Sequence, residues 1–354
     1  MTPNPLLGGL LHAIGAMSSA WCYTPEKRTR AWAWQTYWLA QASVCWLILP
    51  WLGAWLTTPH LGAVLAEAPP EVMAKTFGLG MLYGIGGTAF GIAIRYVGFS
   101  ITYALAIGIS CVLGTLLTPL LSGELAALFG KVGADWVLAG VAVATLGIFA
   151  SGLAGLFKDA DFNKDTPAKA GNQVVKGLFF SVLAGFLSAV FGLSLEAGKP
   201  IAELAASHGA GQFQGNVVYI FSCGGAFLTT AIYCLYLHVR HRTMGEYVNL
   251  PAGEGKPSLP LNFAMAALTG ILWYGQFFFY GLGHVRMGQY GFTSWAIHMA
   301  MLVLFSTIAG VMLREWNGCR PRTWAALMSA IAVLLIAVGL LTYGNYLGGL
   351  AAAH

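Results

Sequence analysis

The sequence predicts an all-α polytopic membrane protein, its ten transmembrane helices arranged as two inverted five-helix repeats. Three observations predict it. Only 9% of the 354 residues are charged and 57% are hydrophobic, against about 25% charged in an ordinary soluble domain. Ten stretches are apolar enough to cross a hydrocarbon core of about 30 Å, which takes roughly 20 residues of helix. A shift of 190 residues also lays similar segments over one another. Thirteen acids and eighteen bases cannot coat a soluble chain of this length. With a mean hydropathy of +0.70, they exclude a cytosolic enzyme, a disordered tail and a nucleic-acid binder.

The ten segments lie at about 5–23, 31–56, 74–95, 99–121, 135–157, 174–196, 214–238, 261–284, 290–313 and 323–347. Short connectors rich in Pro, Gly and charge separate them, such as Thr57–Lys75 and Lys158–Lys176. The longest, near His238–Pro260, holds Arg240, Arg242, Pro251, Gly253, Gly255, Pro257 and Pro260, and none is long enough for a separate soluble domain. Met1-Thr2-Pro3-Asn4-Pro5 has neither a basic region nor a small-residue cleavage site, so no removable signal peptide is expected. Cys22, Cys45, Cys111, Cys223, Cys234 and Cys319 show no metal-ligand or CxxC spacing. Most fall in apolar runs, where a thiol behaves as a small hydrophobe. A disulfide framework and a metal site are not expected.

Loop charge predicts the orientation. Loops 1, 3, 5, 7 and 9 hold fourteen bases: Lys27, Arg28, Arg30, Arg95, Lys158, Lys164, Lys169, Lys176, Arg240, Arg242, Lys256, Arg314, Arg320 and Arg322. The opposite loops hold four, Lys75, Lys131, Lys199 and Arg286. Basic loops stay in the cytoplasm, so both termini are expected on the periplasmic side.

The repeat rests on Gly80, Gly91 and Gly98, which the shift lays over Gly270, Gly281 and Gly288. Each half shows a Gly-bearing helix, a short basic turn (Arg95 or Arg286) and an apolar helix ending near Glu124 or Glu315. Five spans per half is odd, so the halves insert with opposite orientation. The expected division is a first repeat over 1–157, a cytoplasmic linker over 158–173 and a second repeat over 174–354. Gly80 with Gly84, and Gly87 with Gly91, are small-xxx-small pairs that suit close helix packing or close approach around a central cavity.

Several segments carry a resemblance. They are His12-Ala13-Ile14-Gly15-Ala16, Trp46-Leu47-Ile48-Leu49-Pro50-Trp51, Tyr83-Gly84-Ile85-Gly86, Arg95-Tyr96, Ala106-Ile107-Gly108-Ile109, Gly114-Thr115-Leu116 and Lys199-Pro200. Later come Trp273-Tyr274, Gln276-Phe277-Phe278-Phe279-Tyr280, Gly283-His284, Gln289-Tyr290, Ser294-Trp295, His298-Met299 and Arg314-Glu315-Trp316. To about residue 317 the chain resembles the L-rhamnose–proton symporters of the drug/metabolite transporter superfamily. That resemblance implies ten helices in the bacterial inner membrane and proton-driven uptake of a 6-deoxyhexose, with no cofactor and no catalytic residue. The chain departs from the pattern where Gln35 replaces an acid, Glu196 an asparagine and Gly291 an aspartate of the enteric members. A proton site built on Gln35 or Gly291 is therefore impossible here.

A sugar site needs an aromatic face and a few orienting hydrogen-bond groups. Span 8 supplies Trp273, Gln276 and Tyr280 at i, i+3, i+7 on one helix face, with Tyr274 beside them. Gln276 stands out because an amide in hydrocarbon is costly without a partner. Its plain alternative is an interhelical packing bond, and that of the Phe277–Phe279 run is lipid contact or core. Span 9 offers Gln289, Tyr290, Ser294 and Trp295, with His298 one turn beyond Ser294, and this stripe is expected to face span 8.

Proton coupling needs a titratable group within the bilayer, and no Asp, Glu, Lys or Arg falls in the middle third of any span. The deepest titratable side chains are His12 and His298, with Glu196 as a less favoured acid; the alternative for each histidine is a neutral imidazole satisfied by its neighbours. Arg95 and Lys199, at helix ends, are candidates for gating ion pairs with Glu124 or Glu203, against plain snorkelling. The His238-Val239-Arg240-His241-Arg242 run reads as a basic cytoplasmic cap, and Asp159-Ala160-Asp161 as a solvated linker. The expected partners are L-rhamnose or a similar sugar, protons and the lipid bilayer, with no nucleic acid; the oligomeric state is open. One rival is a carrier of another small metabolite. The other is a membrane-embedded enzyme, which would need clustered His, Asp or Glu ligands that this sequence scatters.

Overall fold

The computed structural model describes residues 4–121, 123, 129–162, 171–249 and 258–351. Among these every regular element is helical: α1 (Pro5–Trp21), α2 (Trp34–Thr57), α3 (Leu61–Glu67), α4 (Pro70–Val97), α5 (Phe99–Leu121), α6 (Ala134–Phe162), α7 (Gly171–Ala197), α8 (Lys199–Ser207), α9 (Asn216–His241), α10 (Leu259–His284), α11 (Ser294–Met312) and α12 (Pro321–Ala351). Each of the ten apolar segments coincides with one of them. Eight spans are long and apolar enough to cross a membrane, carried by α2, α4, α6, α7, α9, α10, α11 and α12. Within α5, Ile101–Leu117 is a shorter apolar helix, and α1 has 17 residues. The chain is a multi-pass membrane protein.

Helix α2 is not regular. Ser43–Ile48 forms a π-turn, in which the Leu49 N–H donates to the Val44 carbonyl five residues back. Pro50 explains the wider turn: it has no N–H for the Trp46 carbonyl, and its ring crowds that carbonyl in an α-helix. Such π-bulges often mark functional sites.

The chain divides into two compact units, each drawing on both halves of the sequence. The first comprises Met1–Ala20, Gly86–Leu193 and Leu282–His354; the second comprises Trp21–Ile85 and Ser194–Gly281.

Within the first unit, α6 and α12 pack along their whole lengths. Besides Asn345, the buried residues of α12, Thr323, Leu327, Ala330, Leu334, Ala337, Leu341, Gly344 and Gly348, alternate steps of four and three, the spacing of a left-handed coiled seam. Gly133 meets Gly344, Gly140 meets Leu341, Gly147 meets Leu334 and Ala154 packs with Leu327, so the pair is antiparallel. At its end the Asp161 carboxylate, 3% exposed, accepts from the Arg320 N–H at 2.9 Å and the Thr323 hydroxyl at 2.6 Å. It thereby caps the N-terminus of α12. Asp161 is a buried cap and not the solvated linker residue its neighbours suggest, because the end of α6 folds against an otherwise unsatisfied helix start. Next to it, Lys158 pairs with Glu315 at 3.5 Å and lies over the Trp316 ring.

Within the second unit, α4 crosses α9 at glycines. A Cβ on Gly80 would lie 2.8 Å from the Ser222 carbonyl carbon and one on Gly84 2.6 Å from the Ala226 carbonyl oxygen, whereas one on Gly87, where α4 continues into the first unit, would meet nothing within 4 Å. The Gly80–Gly84 pair is thus a helix-packing device. The short helices α3 and α8 close one end, with Val64, Ala68, Ile201 and Ala205 buried against Ala54 and Val217. At the start of α2, Glu246 accepts from the Ala33 N–H at 2.7 Å and the Thr36 hydroxyl at 2.5 Å. His238 is fully buried there, its Nδ1 2.7 Å from the Thr243 hydroxyl and its Nε2 3.1 Å from the Tyr247 hydroxyl. It is a core residue of this loop junction, while Val239, Arg240 and His241 are exposed. Burial pushes the Tyr247 hydroxyl above its ordinary pKa, so it stays neutral in this network.

Candidate functional site

In the second unit, the expected span 8 residues sit in an aromatic cluster. Trp273, Tyr274, Gln276 and Tyr280 are all buried, since both sides of α10 are packed at this level. The Trp273 ring meets three others edge to face: Tyr23 at 5.5 Å, Trp38 at 5.5 Å and Trp46 at 5.4 Å between centroids. Trp38 in turn stacks on Trp34 at 5.1 Å. Edge-to-face packing is what ring quadrupoles favour. Tyr274 reaches α2, where Gly53 leaves room for its hydroxyl, and it packs across Tyr219 at 6.4 Å. The Tyr219 hydroxyl donates to the Phe277 carbonyl at 2.7 Å. Phe277 is buried, a core residue as its plain alternative holds. Glu196, exposed at the end of α7, is within electrostatic reach of Tyr280.

Gln35 is buried and donates from its side-chain amide to the Thr243 hydroxyl at 2.8 Å. Arg95 and Lys199 are exposed at helix ends. No ion pair joins either of them to another described residue.

In the first unit, His12 and His298 come together. Their rings are 6.0 Å apart between centroids at 69°, and both side chains are buried, to 0% and 2% exposure. Gly283 allows this: a Cβ there would lie 3.0 Å from His12 Nε2 and 2.9 Å from the Gly8 carbonyl. A third imidazole, His284, lies within electrostatic reach of His12, its Nδ1 3.1 Å from the Ser294 hydroxyl. Trp295 is wedged where Gly114 has no side chain, and its indole N–H donates to the Ser110 carbonyl at 2.9 Å. The Ser110 hydroxyl donates to that of Ser188 at 3.0 Å. The Trp295 donor is therefore committed within the protein. The side chains of Gln289 and Tyr290 lie outside the described residues. Among the described residues no group of three or more His, Cys, Asp or Glu side chains is placed to hold a metal.

Three features escaped the sequence reading: the Trp34–Trp38 extension of the aromatic cluster, the nearness of His284 to His12, and Gln41, fully buried in α2. Gln41 carries the same signal that singled out Gln276, an amide within an apolar run.

The L-rhamnose-proton symport protein (RhaT) family model matches residues 1–346. The chain is 35% identical over 340 residues to the L-rhamnose-proton symporter of Cronobacter sakazakii, covering 96% of this chain and 97% of the relative. It is 33% identical over 342 residues to those of Yersinia pestis and Yersinia pseudotuberculosis, covering 96% and 98%. The family model covers nearly the whole chain and the relatives match over 96% of it, which leaves one conclusion: the chain belongs to the L-rhamnose–proton symport protein family.

Proposed function

We infer that this chain carries L-rhamnose together with a proton into the cell across the bacterial inner membrane, by alternating access. It is a transporter and not an enzyme. The observation that carries the reading is the match to rhamnose–proton symporters over 96% of the chain. The energetics suit it: one proton crossing 100 mV supplies about 2.3 kcal/mol, roughly a fifty-fold accumulation of a neutral sugar.

Trp273, Tyr274, Gln276 and Tyr280 of the second unit are the proposed sugar contacts there; in the first unit they are Gln289, Tyr290, Ser294 and Trp295. Aromatic faces cover the apolar side of the pyranose and its methyl group, and the amides and hydroxyls orient its oxygens. His12 and His298 are the proposed proton carriers. Two buried imidazoles at 6.0 Å are unfavourable as a doubly charged pair, so a proton bound by one ring disfavours charging the other. Glu196 is a secondary candidate, and Arg95 and Lys199 are proposed gating residues.

The architecture behind this reading is ten transmembrane helices as two inverted repeats, 1–157 and 174–354, joined by a cytoplasmic linker, 158–173, with both termini periplasmic. Two pairs of glycines 190 residues apart support it. Gly98 and Gly288 both have positive φ, +85° and +59°, after α4 and α10. Gly80 and Gly270 both sit at close helix crossings, against Ser222 and Val44.

His12→Gln, His298→Gln and Glu196→Gln test the coupling. In proteoliposomes, loss of the carrier should abolish accumulation of labelled L-rhamnose against a gradient while sugar exchange at equal concentrations persists. Accumulation by all three variants would refute the assignment.

A further inference from the structure

The rings of His12 and His298 are buried, so neither takes a proton directly from solvent in this structure. A proton must reach them through a group that meets both the pair and the water. The carrier reading leaves one titratable side chain beside the pair unused. It is His284, the last residue of α10, and it is half-buried where the other two imidazoles are closed off.

On its outer side the chain leaves the helix. Arg286 is half-buried and Gly288 exposed, and the Asn4 N–H donates to the Arg286 carbonyl at 3.0 Å. This turn is thus tied to the place where α1 begins and α10 ends. A helix end that carries an arginine lies at the membrane interface, where water reaches. On the proposed topology this end is periplasmic, the side from which uptake draws its proton.

On its inner side His284 adjoins the pair through both neighbouring helices. The preceding residue, Gly283, sets its main chain against the His12 ring, where a Cβ would lie 3.0 Å from Cδ2 and Nε2. His284 itself is within electrostatic reach of His12. Its Nδ1 is 3.1 Å from the hydroxyl of Ser294, which stands one turn before His298 on α11. The ring edge looks onto Gly291, where a Cβ would lie 3.4 Å from Cε1, so that residue covers it with no side chain. The titratable and charged groups around it are His12 from α1, His298 one step further on α11, and Arg286 on its own turn. All of them belong to the first unit. An imidazole suits the position, because one nitrogen can take up a proton while the other releases one, and its ordinary pKa of about 6.5 makes both forms accessible near neutral pH.

We propose that His284 is the proton port of the His12–His298 pair: it takes a proton from solvent, passes it to His12 and returns to the neutral form. Only N–H bonds form and break, and one positive charge moves inward with the proton. This rests on the reading that His12 and His298 carry the coupled proton, and it names the route by which the proton reaches them.

The test uses the full-length protein in proteoliposomes: wild type, His284→Ala and His284→Gln. Labelled L-rhamnose uptake is driven by a potassium-diffusion membrane potential, which added imidazole does not dissipate. Proton transfer by a positioned group is worth about 10²–10⁴-fold; carrier movement masks part of this, so both variants should accumulate sugar about tenfold or more slowly. Exchange at equal sugar concentrations, which needs no net proton movement, should continue. Imidazole in the external medium should restore the rate of His284→Ala, where the missing ring leaves room for it, and not that of His284→Gln. An unchanged rate in both variants overturns the proposal. So does a slow His284→Ala that imidazole does not restore, or a loss of exchange in both variants, since either marks a merely structural role. Failure of the carrier reading shows separately, as accumulation by both His12→Gln and His298→Gln, and it overturns the port as well.

Discussion

The crossing of α4 and α9 gives a prediction whose size can be worked from distances. A methyl group at Gly80 would sit 2.8 and 2.9 Å from the Ser222 carbonyl carbon and Cα, where carbon atoms in contact keep about 3.5–4.0 Å. The obstacle is backbone, so no side chain can turn away, and the helices must separate by roughly 1 Å. Overpacking of this kind costs about 1–3 kcal/mol, and a backbone obstacle puts Gly80→Ala near the top of that range. Replacing Gly by Ala in a helix returns up to about 1 kcal/mol, leaving a net loss of about 2 kcal/mol. Gly87→Ala is the control on the same helix: its methyl meets nothing within 4 Å, so only the gain of about 1 kcal/mol remains. Reversible unfolding in mild detergent, followed by circular dichroism, should separate the two variants by about 3 kcal/mol. Equal stability would refute the crossing geometry.

Three further outcomes follow from the same structure. Glu246→Ala removes the acceptor of the Ala33 N–H and the Thr36 hydroxyl; it should lower stability by about 1–2 kcal/mol, the size of a lost helix cap, in the same unfolding assay. Burial raises the Glu26 carboxyl above its ordinary 4.5. The folded state therefore holds this proton more tightly, and stability should fall as pH rises from 4.5 through the raised value; melting curves of Glu26→Gln should show that fall reduced. Trp273→Phe keeps an aromatic ring but loses area in the cluster; sugar affinity in equilibrium binding should drop about two- to fivefold, the worth of part of one ring contact, with exchange at saturating sugar retained.

Much of the fold is legible in the sequence because a bilayer imposes one simple rule: backbone polar groups must be satisfied within each segment. Long apolar runs bounded by Pro, Gly and charge therefore mark α4, α6 and α12 directly. The seam of α12, at alternating steps of four and three from Thr323 to Gly348, is not legible there, because the helix is apolar on every side. Of the candidate site, Trp273, Gln276 and His298 stand out as polar or aromatic side chains in hydrocarbon. Gln41 meets the same criterion, yet nothing in its neighbours distinguishes an amide with a partner from one without. Glu246 and Asp161 read as loop charges, because the helix starts they cap are more than 150 residues away in the chain. The π-turn at Ser43–Ile48 needs Pro50 and the tertiary packing together. Nor does a linear repeat reveal that each compact unit takes segments from both halves, since that depends on which helices pack.

The central claim is that sugar and proton move together. Uptake of labelled L-rhamnose into energised membrane vesicles containing this protein, with and without a protonophore, tests it most directly. The account predicts accumulation above the external concentration that collapses when the proton gradient is discharged, with L-rhamnose uptake taking protons from the medium. Accumulation that survives the protonophore, or uptake of L-rhamnose with no accompanying proton movement, would contradict it.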